Sequence, residues 1–263
     1  MFYGSILAIM FAFQSCATNA LTGSTQLNLV SESELQSLSA NQYNDFVKSH
    51  EVLSPNKDNK AAMVQRVGKK IAAAVDEYFT NKKNKAALVG YNWEYNLVKD
   101  SAINAWCMPG GKIVVYTGIL PYTVNETALA IVIGHEVSHA LLQHGNQRMS
   151  ESMLQQLGGV ALSTALSKKP AETQDLFMKA YGVGTEIGIM LPFSRKQELE
   201  ADRFGLIWAA IAGYDPNEAI KFWERMQQTT GQKPPEFLST HPSDATRIEK
   251  IKSYLPEALS YKK

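Results

Sequence analysis

The segment Gly134-His135-Glu136-Val137-Ser138-His139 constrains this chain more than any other, set as it is in the apolar run Ile131 to Leu141. Residues four apart on a helix stack one turn above each other, so His135 and His139 present their imidazoles to one point. Glu136 lies about 100° round from His135. It can reach a water beside an ion held by the two histidines without ligating the ion itself. Histidines on a buried helix can also serve packing. Two of them with a glutamate, on an otherwise apolar helix, would be costly without partners, and a metal ion supplies those partners. Catalytic zinc takes three protein ligands and keeps its fourth position open.

A third ligand must therefore come from elsewhere. A continuation of the motif with Gly at 142 and His at 145 is ruled out, because those positions are Leu142 and Gly145. His144 would lie roughly 140° round a continuous helix from His139 and reads as a helix-end residue. The segment Ser194 to Arg203 offers Glu198 with Asp202 one turn further on the same face, while Glu200 lies nearly opposite. Alone, this segment also reads as a solvated acidic face. Beside the His-Glu-x-x-His helix, Glu198 is expected as the ligand and Asp202 as the acceptor of a hydrogen bond from a ligating histidine.

The 263 residues carry a formal net charge of +1, with 45% hydrophobic and 19% charged residues. Nothing in that balance makes a nucleic-acid protein, which needs a concentrated basic surface. The short run Lys82, Lys83, Lys85 reads as a solvated helix end. Phe2 to Phe13 is apolar but too short to span a bilayer comfortably, which suits a signal peptide. A small residue before Cys16 resembles a bacterial lipoprotein signal over residues 1–16, with Cys16 acylated. An ordinary secretory signal cleaved near Ala20 is the alternative. The expected setting is the bacterial periplasm, tethered to a membrane by the lipid. Cys107 is the one other cysteine, so no internal disulfide is expected once Cys16 is acylated or removed.

Residues 17–30 are polar and read as a flexible tether, leaving 31–263 as a single domain. Ser31 with Glu34 forms a capping box for a first helix, and a second runs from Asp58 to Phe79. Trp93, Tyr95 and Leu97 alternate with polar residues as a strand. Asn104 to Met108 and Lys112 to Thr117 flank the turn Pro109-Gly110-Gly111 as two more. Helical patterns resume at 125–143, 149–167, 171–190, 194–212 and 216–229, and after Pro242. The glycine-interrupted stretches 149–190 are expected as packed or membrane-surface helices, forming a lid or a surface for envelope partners.

As a set, these motifs resemble the CaaX-prenyl-endopeptidase/HtpX-like family of zinc metallopeptidases, in its soluble, exported bacterial branch. Asn104-Ala105-Trp106-Cys107-Met108-Pro109-Gly110-Gly111 is similar to the family's Asn-Ala-Phe-Ala-x-Pro-Gly-Gly turn. His135 to His139 matches the zinc helix. Ser194 to Asp202 matches Ser-Arg-x-x-Glu-x-Glu-Ala-Asp, and His241-Pro242 with Arg247 matches a late His-Pro-x-x-x-x-Arg element. Trp106 and Cys107 depart from the pattern.

The resemblance implies an edge strand at Asn104, Ala105 and Trp106, running into Pro109, Gly110 and Gly111, to which an extended substrate adds itself. It implies that His241 and Arg247 approach the metal and stabilise the oxyanion, or that His241 fills the fourth metal position instead. The fold expected is α+β and mostly α, zincin-like, with a small antiparallel sheet against the zinc helix. One Zn2+ per chain and polypeptide substrates follow, misfolded or misassembled envelope proteins among them, with Glu136 as general base. A zinc-stabilised chaperone or binding module with latent proteolysis is the rival expectation.

Overall fold

Short polar side chains open the helices that build the site. Ser31 caps a helix over Glu32–Ser49 (α1) in the expected capping box with Glu34, and Asp58 caps Asn59–Asn81 (α2) by accepting from the Lys60 and Ala61 amides. Asn125 caps Glu126–Leu141, and Ser194 with Gln197 caps Arg195–Ile211. Each cap satisfies amide donors that the first helical turn leaves without partners. The structure, a computed structural model, describes residues 16–157, 162–181, 183, 193–228, 236–242 and 245–262.

Among the described residues the strands are Cys16–Thr18 (β1), Thr25–Leu27 (β2), Val52–Leu53 (β3), Glu94–Val98 (β4), Ala105–Met108 (β5) and Lys112–Tyr116 (β6). After β6 come Leu120–Thr123 (α3), Glu126–Leu141 (α4), His144–Leu157 (α5), Leu162–Lys168 (α6) and Pro170–Ala180 (α7). Arg195–Ile211 (α8), Glu218–Gln228 (α9), Glu236–Thr240 (α10) and Ala245–Leu259 (α11) complete the chain.

Four strands form one sheet in the order β3-β4-β6-β5. Gly110 and Gly111, with φ of 77° and 81°, make the tight turn that folds β6 back along β5. The sheet is mixed rather than wholly antiparallel: β4 and β6 run parallel, with Glu94 opposite Lys112 and Val98 opposite Tyr116. The reason is topological. After β4 the chain crosses to the outer position before β5 begins, and β6 then returns between the two.

Both faces of the sheet are covered, which explains why β5 and β6 are buried throughout. Leu97, Ala105, Cys107, Ile113 and Val115 face the larger core with α2 and α4. Val98, Trp106, Met108, Val114 and Tyr116 face a second core with α1 and α5 to α7. There the Trp106 ring meets Phe46 edge-on at 5.0 Å. Its side chain is thus a core element, and Trp106 has only its backbone to offer a substrate.

One expectation is corrected. Residues 17–30 are not a free tether: β1 and β2 pair as a hairpin, Cys16 opposite Leu27, and the segment is fastened to the end of α4. Asn19 Nδ2 donates to Leu141 O at 3.3 Å, and Gln26 Nε2 donates to Leu142 O at 3.1 Å. The stretch 149–190 is packed where it is described, one of its two expected placements. Met149, Met153, Leu162, Leu176 and Phe177 are spent in the second core. Residues 182 and 184–192 of that stretch, like the signal segment 1–15, lie outside the described residues. No described helix is long and apolar enough to cross a membrane.

The central crossing is between α4 and α8. A Cβ on Gly134 would stand 2.9 Å from the Gly205 carbonyl oxygen, and one on Gly205 would stand 2.9 Å from the His135 amide nitrogen. The two backbones touch there because both residues lack a side chain. Glu198 is thereby held against the His135–His139 face.

Candidate metal centre

From α4, His135 and His139 point at one spot, and their Nε2 atoms lie 3.0 Å apart. From α8, Glu198 Oε1 comes within 3.3 Å of His139 Nε2. His241, just beyond α10, brings its Nδ1 to 2.9 Å from Glu198 Oε1 and 3.2 Å from His135 Nε2. The four ligand atoms lie within 4.8 Å of one another, and all four residues are buried. Tetrahedral zinc with bonds of about 2.0–2.1 Å spaces its ligand atoms roughly 3.3 Å apart, so the set has the right size.

The proton bookkeeping of the two histidines is as informative as the spacing. His135 Nδ1 lies 2.9 Å from Asp202 Oδ1. A carboxylate only accepts, so a hydrogen belongs on Nδ1 and Nε2 is the nitrogen that can ligate. His139 Nδ1 lies 2.9 Å from His144 Nδ1, and His144 Nε2 lies 3.3 Å from Glu200 Oε2. By the same rule His144 donates to Glu200 and accepts from His139, whose Nε2 is bare. Two lone pairs and a carboxylate oxygen then face each other across about 3 Å in a buried site. That arrangement is repulsive unless a proton or a metal cation sits among them.

Without a metal, a proton takes up part of that role: burial lowers the His135 pKa, but the Asp202 and Glu198 carboxylates beside it outweigh that and hold it at about 9, so the metal-free site keeps a positive charge that a bound cation would displace. Burial drives His139 well below its usual value and His241 down to about 4, and lowers His144. Burial would raise Glu198, yet Arg247, His241 and the two α4 histidines hold it well below the usual carboxylate range.

Glu136 behaves oppositely. Burial, reinforced by the Glu198 charge and opposed by His135, pushes it up to about 8. Its Oε1 has no hydrogen-bond partner among the described residues, with His241 Nε2 at 3.5 Å. Buried polar atoms without partners are rare, and this one sits beside the cluster where a reacting water belongs.

Arg247 departs from the expected role. Its Nε and one terminal nitrogen bind both oxygens of Asp202 at 2.7 and 2.8 Å. The other terminal nitrogen lies 2.7 Å from Glu198 Oε2, and the guanidinium stacks on Trp223. It clamps the carboxylates behind the metal site instead of facing an oxyanion. His241 is placed where the fourth ligand would stand.

Sequence reasoning missed His144 and Glu200. Both were assigned away from the site on the premise of one continuous helix and of helix faces alone. Gln143 has φ of 58°, which breaks the helix and swings His144 back over His139. The signal was faint, because a left-handed glutamine has no sequence mark of the kind glycine supplies.

Access is closed. Phe193 lies over the His139 ring at 3.7 Å, and its amide donates to Thr240 O at 2.9 Å. The Phe237 amide donates at 3.0 Å to Ile103 O, just before β5. Among the described residues β5 is the terminal strand of its sheet, with the segment leading to His241 at its end. A nearby cavity of about 400 Å3 lies beyond Phe193, lined by Gln26, Arg148, Gln197 and Glu200 among others, and not at the metal cluster. The chemistry, not the cavity volume, marks the site.

Comparison with known proteins gives a consistent result. Residues 58–255 match the model of Peptidase family M48. The chain is similar to the mitochondrial metalloendopeptidase OMA1 of Schizosaccharomyces pombe, 39% identical over 168 residues, covering 63% of this chain and 48% of that protein. It is similar to metalloendopeptidase OMA1 of Homo sapiens, 29% identical over 262 residues, covering 97% of this chain and 48% of that one. It is also similar to the beta-barrel assembly-enhancing protease of Yersinia pestis, 32% identical over 163 residues, covering 59% of this chain and 33% of that protein. The chain spans half the length of these relatives or less. The expected bacterial periplasmic setting is overturned by the mitochondrial relatives. The acyl anchor at Cys16 and the envelope partners, which presupposed that setting, lose their support with it.

Proposed function

The chain belongs to peptidase family M48, and from that premise we propose that it is a zinc-dependent endopeptidase of protein quality control that cleaves misfolded or misassembled polypeptides. The observation that carries this reading is the convergence of His135, His139 and Glu198 beside a buried Glu136 whose Oε1 has no partner. Within the family, the resemblance of Asn104 to Gly111 and Ser194 to Asp202 to the HtpX-like pattern supports reading it with the HtpX-like peptidases.

His135, His139 and Glu198 would hold the ion. Zinc, when bound, supplies Lewis acidity and makes nearby water easier to deprotonate. Asp202 fixes His135, and Arg247 fixes Asp202 and Glu198. Glu136 takes the proton of the attacking water and returns it to the leaving amine. Burial raises the proton affinity of Glu136 and a bound cation would lower it again, which suits a group that must both take a proton and return it. An extended substrate would pair with the backbone of Asn104 to Trp106 along β5 once the covering segment is released, ending at the Pro109–Gly111 turn.

His241 gives the rival reading its one support, since a purely structural site also fills its fourth position. Such a site would leave the buried Glu136 carboxyl without a role. We therefore read His241 as a removable cover on a peptidase that is closed at rest. The test is zinc content and casein cleavage by the purified chain, by Glu136→Gln and by His241→Ala. Glu136→Gln is expected to keep one zinc and lose cleavage by about 100-fold or more, and His241→Ala to cleave at least as fast as the parent. Cleavage retained in Glu136→Gln would remove it as the base. Zinc without cleavage in parent and His241→Ala alike would establish the binding module instead.

A further inference from the structure

We propose that His144 and Glu200 form a positioning relay that fixes the tautomer and orientation of the zinc ligand His139. The relay rests on the zinc reading given above and assigns two further residues to that site. His144 is fully buried, and its Nδ1 stands 2.9 Å from His139 Nδ1. Its Nε2 stands 3.3 Å from Glu200 Oε2, and Lys196 Nζ lies 3.8 Å from the other oxygen of that carboxylate. The chain of donors runs one way: His139 Nδ1–H to His144 Nδ1, then His144 Nε2–H to the Glu200 carboxylate.

Each link has a physical consequence. Without an acceptor at His144, the His139 Nδ1–H would be buried and unpaired, because Phe193 covers that ring. The imidazole would then gain by moving its hydrogen to Nε2, or by turning, and either change withdraws the lone pair from the metal. Without the Glu200 carboxylate, His144 is free to carry its own hydrogen on Nδ1, where it confronts the hydrogen of His139. Asp202 does the equivalent work for His135 directly. The carboxylate for His139 stands one residue further away because α8 turns Glu200 outward from Glu198, and the bend at Gln143 delivers an imidazole to bridge the difference.

The experiment measures zinc affinity by competition with a chromophoric chelator on the full chain, His144→Leu, His144→Asn and Glu200→Gln. Thermal midpoints of the zinc-free proteins are recorded alongside. His144→Leu is expected to weaken zinc binding about 10- to 100-fold, as loss of a partner to a ligating imidazole does elsewhere. His144→Asn, whose side-chain oxygen can accept from His139, is expected to restore most of that loss. Glu200→Gln is expected to weaken binding measurably but less. Zinc-free midpoints that agree between His144→Leu and His144→Asn show that the affinity difference is not a folding defect. Zinc affinities of His144→Leu and Glu200→Gln indistinguishable from the parent would overturn the relay. Should His144→Leu fail to fold, Glu200→Leu, which removes the acceptor at a partly exposed position, decides by the same measure: an affinity equal to the parent's would overturn the relay. A parent chain that binds no zinc would sink the metal reading itself and the relay with it, a result visible before any variant is compared.

Discussion

Glu136 and Glu198 lie in one buried cluster, and their surroundings push their proton affinities apart. Burial lifts Glu136 to about 8. Glu198 is equally buried, but the Arg247 guanidinium and the histidines around it keep it ionised. Such a split is what separates a proton-transfer group from a ligand of the same chemical type. Arg247 is the residue on which the ligand side depends, since it binds both Asp202 oxygens and Glu198. Removing it leaves two buried carboxylates uncompensated, so Arg247→Met is expected to cost about 3–5 kcal/mol in urea unfolding of the zinc-free protein at pH 7. The pH dependence follows with a definite sign. Asp202 and Glu198 have folded pKa values below their ordinary 3.8 and 4.5. Their contribution is therefore complete above that range and is lost as pH falls through the lowered values. In Arg247→Met the folded values rise. Acid unfolding of the zinc-free variant, followed by circular dichroism, is expected at higher pH than in the parent, and an unmoved midpoint would show that Arg247 does not hold these groups.

At the scale of elements, the site exists because α4 and α8 touch backbone to backbone at Gly134 and Gly205. A methyl added at Gly134 would meet the Gly205 carbonyl at 2.9 Å, and backbone cannot swing aside as a side chain can. Gly134→Ala is thus expected to separate the helices. It should cost roughly 1–3 kcal/mol despite alanine's better helix propensity, and weaken zinc binding as Glu198 withdraws. A thermal midpoint at or above the parent's, with zinc affinity intact, would contradict that picture. Much at this scale was legible in the sequence, because the signals are local. The Ser31–Glu34 capping box, the apolar period of α2, the Pro109–Gly111 turn and the His135–His139 spacing each sit within a few consecutive residues. The parallel pairing of β4 with β6 was not legible, since it depends on where β5 lies, a non-local fact. The β1–β2 hairpin was missed for a related reason. Its residues carry no apolar alternation, and it is held by Asn19 and Gln26 amides reaching α4 carbonyls more than a hundred residues away.

The whole molecule is a sheet between two cores, with the metal cluster on the α4 side and a small covering segment over it. That segment is tied down by bonds that include Phe193 N–H to Thr240 O, Phe237 N–H to Ile103 O and Arg247 to Pro242 O, and by the buried Phe237 ring, which packs on Trp223. The cores beneath are made of large buried side chains such as Trp208, Trp223 and Phe79. Opening the cleft at this segment therefore takes Phe237 out of the core as well as breaking those bonds, a local opening that costs less than global unfolding. It would also free the end of β5 for a substrate, since the Phe237 amide now occupies Ile103 O. A peptide hydroxamate that competes with His241 for the metal should reproduce that opening. Amide exchange at Phe193, Phe237 and His241 is expected to accelerate when the inhibitor binds, while Leu129 to Ala140 in α4 stay as protected as before or better. Exchange at those three amides unchanged by an inhibitor that demonstrably occupies the metal would mean that His241 is a permanent ligand and that substrate enters by another path. Acceleration spread over α4 and α8 would mean that the cores open with the cover, and that closure belongs to the whole fold instead of one segment.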